Sequence, residues 1–98
     1  MTKQLLKITD ICKIYDVEND FINEIVEYEL ITPVKTGSDL FIEEDELPVL
    51  EKIINLHYDL GVNLEGIEII MNLLERIDEM NEEINRLQRI VKYFGQDL

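Results

Sequence analysis

The 98-residue sequence holds one cysteine and one histidine, Cys12 and His57, and neither has the company that catalysis or metal binding requires. A structural zinc site draws four ligands from Cys and His at set spacings, and no CxxC or HExxH is present. Cys12 follows Ile11 in a predicted short helix with no base beside it, so it reads as a buried, inert thiol rather than a nucleophile. His57 stands among apolar residues and reads as a histidine at the core edge making one hydrogen bond. The run Glu43-Glu44-Asp45-Glu46 has calcium-like charge but lacks the alternate oxygens, central glycine and late Glu of an EF-hand loop. Acids at a helix start account for part of that run. The remainder suits an acidic docking surface. The four glycines lie singly at predicted turns or helix ends, with no phosphate cradle, and Met71 and Met80 read as packing residues. These residues indicate no catalytic site, no metal and no cofactor.

What the chain does carry is negative charge: 22 acidic against 9 basic side chains, net −13, with a pI near 4.2. Such a chain repels the phosphate backbone, the main source of non-specific nucleic-acid affinity, and complements a basic protein surface. Its 46% hydrophobic content excludes an acidic disordered tail, and no apolar run approaches the length of a membrane span. The N-terminal MTKQLLKITD lacks an apolar signal segment and the single cysteine supports no disulfide framework, which together predict a cytoplasmic protein. The length suits one modest core plus one extended element.

Thr9 is placed to cap a first helix that turns Ile8, Ile11 and Ile14 inward and ends near Asp16-Val17. A second helix, from Glu18 or Asn19 to Glu29, groups Phe21, Ile22, Ile25 and Val26 on one face. Pro33 forces an extended exit, Lys35 to Asp39 has turn composition, and Leu40-Phe41-Ile42 reads as a returning strand, so a small β-wing follows a helix-turn-helix. A third helix is predicted from Glu44 or Asp45 to Leu60, with Pro48 in its first turn and Gly61 past its end. Its buried stripe is Leu47, Leu50, Ile53, Ile54 and Leu60, with His57 at the edge. Asn63 then caps a fourth helix of about 30 residues, roughly 45 Å long, that Gly95 ends. The expected fold is mainly α: a winged helix-turn-helix over residues 1–62 and a long dimerisation helix over 63–98.

The fourth helix carries the strongest periodic signal: Ile70, Leu73, Ile77, Met80, Ile84, Leu87, Val91 and Phe94, alternately three and four apart. Such a seam predicts a coiled-coil homodimer, the alternative being cover by the first helix. A parallel pair sets Arg76 against Asn81 and Glu83 against Gln88. An antiparallel pair, with Ile70 facing Leu87, brings Arg76 to Glu83 of the second chain twice, so antiparallel pairing is expected.

In a winged helix-turn-helix the second helix enters the major groove and the wing touches phosphate. Here that helix offers Glu18, Asp20, Glu24, Glu27 and Glu29 with no Lys or Arg, and the wing offers Lys35 offset by Asp39. Direct DNA binding is therefore not expected, and the face suits a basic protein surface. The order ITDICKIYDV, NEIVEYELITPV, LFIEEDELPVLEKI and LHYDLGVNLEGIEII, followed by the heptad tail, resembles the chaperone modulator CbpM family, a MerR-like winged helix-turn-helix branch. The resemblance spans about residues 8 to 92. It implies binding to the J-domain of a CbpA/DnaJ-like co-chaperone and inhibition of its stimulation of the Hsp70 partner DnaK. Glu24, Glu27, Glu43, Glu44 and Glu51 are the candidate contacts. A MerR-type DNA-binding transcription regulator is the alternative reading, and an adaptor for another basic protein a further one.

Overall fold

A computed structural model of the chain describes residues 4–95, so the outer ends of the two expected domains, residues 1–3 and 96–98, lie outside the described residues. The elements run β1 (Leu5–Lys7), α1 (Ile8–Tyr15), α2 (Asn19–Glu27), β2 (Val34–Thr36), β3 (Asp39–Glu43), a 3-10 turn (Glu44–Glu46), α3 (Leu47–Ile54), a π-helical turn (Asn55–Asp59) and α4 (Leu64–Gly95). This is the mainly α, winged helix-turn-helix architecture with a long C-terminal helix that the sequence predicts. The chain divides into two compact units, one up to Glu68 and one from Ile69 onward.

The first unit is built on aliphatic burial. Ile11, Ile22, Ile25, Ile42, Leu50, Ile53 and Ile67 are wholly enclosed, and Ile8, Phe21, Ile31 and Leu64 nearly so. Each such side chain contributes about 1.5–3 kcal/mol relative to an exposed one. Because Phe21, Ile22 and Ile25 fill the inner face of α2, the polar residues between them must point to water. The wing is a hairpin in which Thr36 pairs with Asp39, and Gly37 takes the left-handed conformation that the two-residue turn demands.

Four local expectations are corrected. α1 starts at Ile8 with Lys7 at its cap position and no side-chain cap, so Thr9 lies inside the helix rather than capping it. Ile14 is 66% exposed, because two steps of three residues carry it roughly 120° around the helix from Ile8, off the buried stripe. Leu60 is 71% exposed: the π turn after Ile54 rotates the following side chains by about one residue position, and Leu60 leaves the stripe that Leu50 and Ile53 define. The sheet has three strands, not two, in the order β1-β3-β2. Leu5, Leu6 and Lys7 pair antiparallel with Glu43, Ile42 and Phe41.

Asn63 does cap α4, its Oδ1 accepting the Gly66 N–H at 2.8 Å. Gly66 is needed beside it, since a Cβ there would lie 2.9 Å from Val62 Cγ1. Asn63→Ala is expected to lower unfolding stability by about 1 kcal/mol in urea titrations at fixed protein concentration, with helix content retained.

Candidate partner-binding surface

α2 sets the surface. Glu18 stands in extended conformation before the helix, its carbonyl accepting the Phe21 and Ile22 N–H groups at 3.1 and 3.4 Å. With Phe21, Ile22 and Ile25 turned inward, Glu18, Asp20, Glu24, Glu27 and Glu29 are all exposed. Tyr28 closes the helix, its N–H meeting the Glu24 carbonyl at 2.9 Å, and Glu29 follows in the left-handed region at φ 58°.

The π turn brings an aromatic group to α2. His57 stacks on Phe21 with ring centroids 4.6 Å apart, and Tyr58 meets both edge-on at 5.2 and 4.9 Å. His57 Nδ1 donates to the Val62 carbonyl at 2.9 Å, which fixes its tautomer and ties the π turn to the entry of α4. The histidine thus makes the single hydrogen bond expected of it. Beside it Glu24, Glu27, Tyr28, His57, Leu64 and Glu65 line an open groove of about 420 Å³. Tyr58, half exposed, stands near Glu18, Asp16 and Glu24. The result is an acidic rim around phenol and imidazole rings, a chemistry suited to the cationic side chains of a basic helix.

The tyrosines report this field. Burial, then the charges of Glu65, Glu68 and Glu24, hold the Tyr28 phenol above its usual pKa, and burial, then Glu18, Asp16 and Glu24, do the same for Tyr58. Tyr15 is raised chiefly because its hydroxyl donates to Glu51 Oε1 at 2.7 Å.

Glu24 and Glu27 line the groove, whereas Glu43, Glu44 and Glu51 are not among its lining residues. Glu51 holds Tyr15, Glu43 ends β3 opposite Leu5, and Glu44 opens the 3-10 turn, where its N–H donates to the Gln4 carbonyl. Glu46, in the same turn, accepts the Thr32 N–H at 3.5 Å. Asp16, Tyr28, Tyr58 and Glu65 join the surface without having been singled out from sequence. The acidity of α2 was legible, but its meeting with the π turn and the start of α4 is tertiary.

Elsewhere, Cys12 is half-buried rather than buried, its Sγ 3.8 Å from Asn19 Oδ1, and burial pushes the thiol up, so it stays protonated near neutral pH. The side of α2 that faces the wing forms a groove of about 170 Å³ that includes Lys7, Asn19, Asn23 and Asp39. There the Lys7 ammonium is matched by Asp39 at 3.6 Å. A phosphate approaching it meets little net positive charge. Among the described residues no group of three His, Cys, Asp or Glu is arranged to hold a metal ion, and no helix is long and apolar enough to cross a membrane. In the second unit Arg86 grips Glu83 of the same helix, Nε to Oε2 at 3.0 Å, and that hydrogen bond lowers the Glu83 carboxyl below its usual range.

Helix-turn-helix, hairpin wing and long terminal helix define the class of winged helix-turn-helix regulatory proteins. The chain belongs to the MerR HTH family of regulatory proteins, which it matches over residues 6–89. The resemblance to the chaperone modulator CbpM family is also borne out. The chaperone modulatory protein CbpM of Pseudomonas entomophila is 28% identical over 92 residues, covering 93% of this chain and 91% of the relative. The CbpM of Citrobacter koseri is 29% identical over 88% of this chain and 90% of its own length, and that of Coxiella burnetii 28% identical over 86% and 80%.

If Glu24 acts on both phenols, Glu24→Gln lowers the ionisation midpoints of Tyr28 and Tyr58 and leaves Tyr15 unchanged. Phenolate absorbance with single Tyr→Phe controls reads this out. A folded-state phenol pKa above the unfolded value of about 10 means that the native state holds the proton more tightly. The stability it contributes is complete below pH ~10 and declines as pH rises through the folded value. Tyr15→Phe should flatten that alkaline decline.

Proposed function

We propose that this chain is a chaperone modulatory protein that binds the J-domain of a CbpA/DnaJ-like co-chaperone and inhibits its co-chaperone activity. The observation that carries the reading is the acidic surface of α2 and its two ends: exposed Asp20, Glu24 and Glu27 on the helix, Glu18 before it and Glu29 after it, no cation between residues 18 and 29, and an adjoining groove edged by Glu65, Tyr28 and His57. In a helix-turn-helix protein that reads DNA, this helix supplies cations and base-contacting amides. Here the same position presents a field that attracts a basic helix, and J-domains approach their Hsp70 partner through a basic helical face. Occupying that face withholds the co-chaperone by simple competition. No catalytic step is required. The CbpM relatives, aligned over most of their own length, support the same role. The modulator acts as a pair of chains, since a lone α4 would leave its apolar seam in water.

Charge reversal tests the surface. Glu24→Lys with Glu27→Lys is expected to weaken binding to the co-chaperone's J-domain at least tenfold, about 1.4 kcal/mol, and to relieve inhibition of J-domain-stimulated DnaK ATPase activity, with the helical circular dichroism unchanged. Glu43→Lys with Glu44→Lys serves as the comparison pair away from the groove. Equal affinity of the Glu24/Glu27 variant and the parent chain would remove the α2 face as the docking surface. Saturable, salt-dependent binding of the parent chain to a palindromic DNA site, without J-domain binding, would favour the transcription-regulator reading.

A further inference from the structure

The groove beside α2 is lined chiefly by groups that accept hydrogen bonds. Its carboxylates come from two elements, Glu24 and Glu27 from α2 and Glu65 from the first turn of α4. None of the three pairs with a cation among the described residues, and no Lys or Arg lines the groove. The half-buried rings of Tyr28 and His57 and the buried Leu64 supply its flat and apolar surface. The imidazole is fixed in tautomer as well as in place. A carbonyl only accepts, so the Nδ1 that meets the Val62 carbonyl at 2.9 Å carries the proton, and Nε2 of the neutral ring is left as an acceptor. Phe21, stacked at 4.6 Å, holds the same ring from one face. The Tyr28 hydroxyl accepts as readily as it donates, and its phenol lies in the field of carboxylates from both elements, Glu24 on α2 and Glu65 and Glu68 on α4. Asn63 has its oxygen committed to the Gly66 N–H, which leaves its amide nitrogen as a donor at the edge.

From this lining we propose that the groove is the seat of one arginine side chain carried by the basic helix of the partner. The inference rests on the proposed capture of a J-domain, and adds which side chain is gripped and where. A guanidinium group has five N–H donors and no acceptor, the complement of a lining made of carboxylates, a phenol oxygen and an imidazole nitrogen. It is flat, so it can stack on a ring while its edges donate to carboxylates on different elements. It is also weakly hydrated, and so gives up water more easily than an ammonium does.

Lysine satisfies the charge but not the shape. Its three donors sit on one compact, strongly hydrated point that cannot stack and fork at once. An acidic or apolar guest would leave three carboxylates without a counter-charge. Size agrees as well. A volume of about 420 Å³ admits one long side chain, whereas the helix that carries it, roughly 10 Å across, stays at the mouth. Because Phe21 and the Val62 carbonyl already hold His57, little ordering is needed on binding.

The test is calorimetry of the full chain against the co-chaperone's J-domain and against J-domain variants in which each arginine is replaced singly by lysine. Such a replacement keeps the charge and removes the fork. One of them is expected to weaken binding on the order of tenfold, and to cost no more than about twofold when the chain carries Glu65→Gln, whose helical circular dichroism should match the parent. Small losses from every replacement, or the same loss with and without Glu65, would overturn the inference and leave capture of the J-domain intact. If the J-domain does not bind at all, that reading fails by itself and the groove is tested alone. N-acetyl-arginine amide and N-acetyl-lysine amide are then titrated into the chain while the His57 ring protons are followed by NMR. A saturating shift with arginine, several-fold tighter than with lysine and lost in Glu65→Gln, would keep the seat without the J-domain. Equal responses, or none, would remove the seat too.

Discussion

Burial of Phe21, Ile22 and Ile25 on the inner face of α2 is the constraint on which the surface depends. Once these side chains enter the core with Ile11, Ile42, Leu50 and Ile53, the helix has no rotational freedom left, because turning it would expose more apolar surface than any surface charge could offset. The carboxylates at 20, 24 and 27 are then held outward as a consequence of packing. Phe21 has a second role, since its ring is also the platform on which His57 stacks. Core packing and the shape of the acidic groove are therefore coupled through one aromatic side chain.

The winged helix-turn-helix is a geometry for presenting one helix to a partner, and charge decides which partner. With Arg and Lys at the exposed positions of α2 the same backbone would approach phosphate. With Glu and Asp there, and with Lys7 matched by Asp39 near the wing, the face repels phosphate and attracts cations. Membership of a family of regulatory proteins and similarity to chaperone modulators are thus compatible: the scaffold is shared while the sign of the surface differs.

Much of this was legible in the sequence because it is local. The Phe21–Ile22–Ile25 stripe, the Asn63 cap, the Gly37 turn and the long seam each lie within a few residues or repeat at a fixed period. What was not legible is non-local or breaks the period. β1 is three residues, Leu-Leu-Lys, with no alternation to mark it, and its pairing partner β3 lies more than thirty residues away. The π turn has no composition that separates it from continuing α-helix, so Leu60 was placed inside and found outside. At the surface, counting acids was enough to find α2, but nothing in the sequence marks Glu65, in the first turn of α4, as sharing a groove with Glu24 and Glu27. Glu51 illustrates the converse, being acidic and exposed yet bonded to Tyr15.

The central claim is that an acidic face on a DNA-binding scaffold captures a basic J-domain. Titration calorimetry of the unmodified chain against the isolated J-domain of the organism's CbpA/DnaJ-like co-chaperone, at low and at physiological ionic strength, addresses it most directly. The account predicts saturable binding that weakens as salt shortens the reach of the charges to about 8 Å. Absence of heat at either ionic strength, with the chain folded, would contradict capture of the J-domain; binding of equal strength at both would contradict the role given to charge.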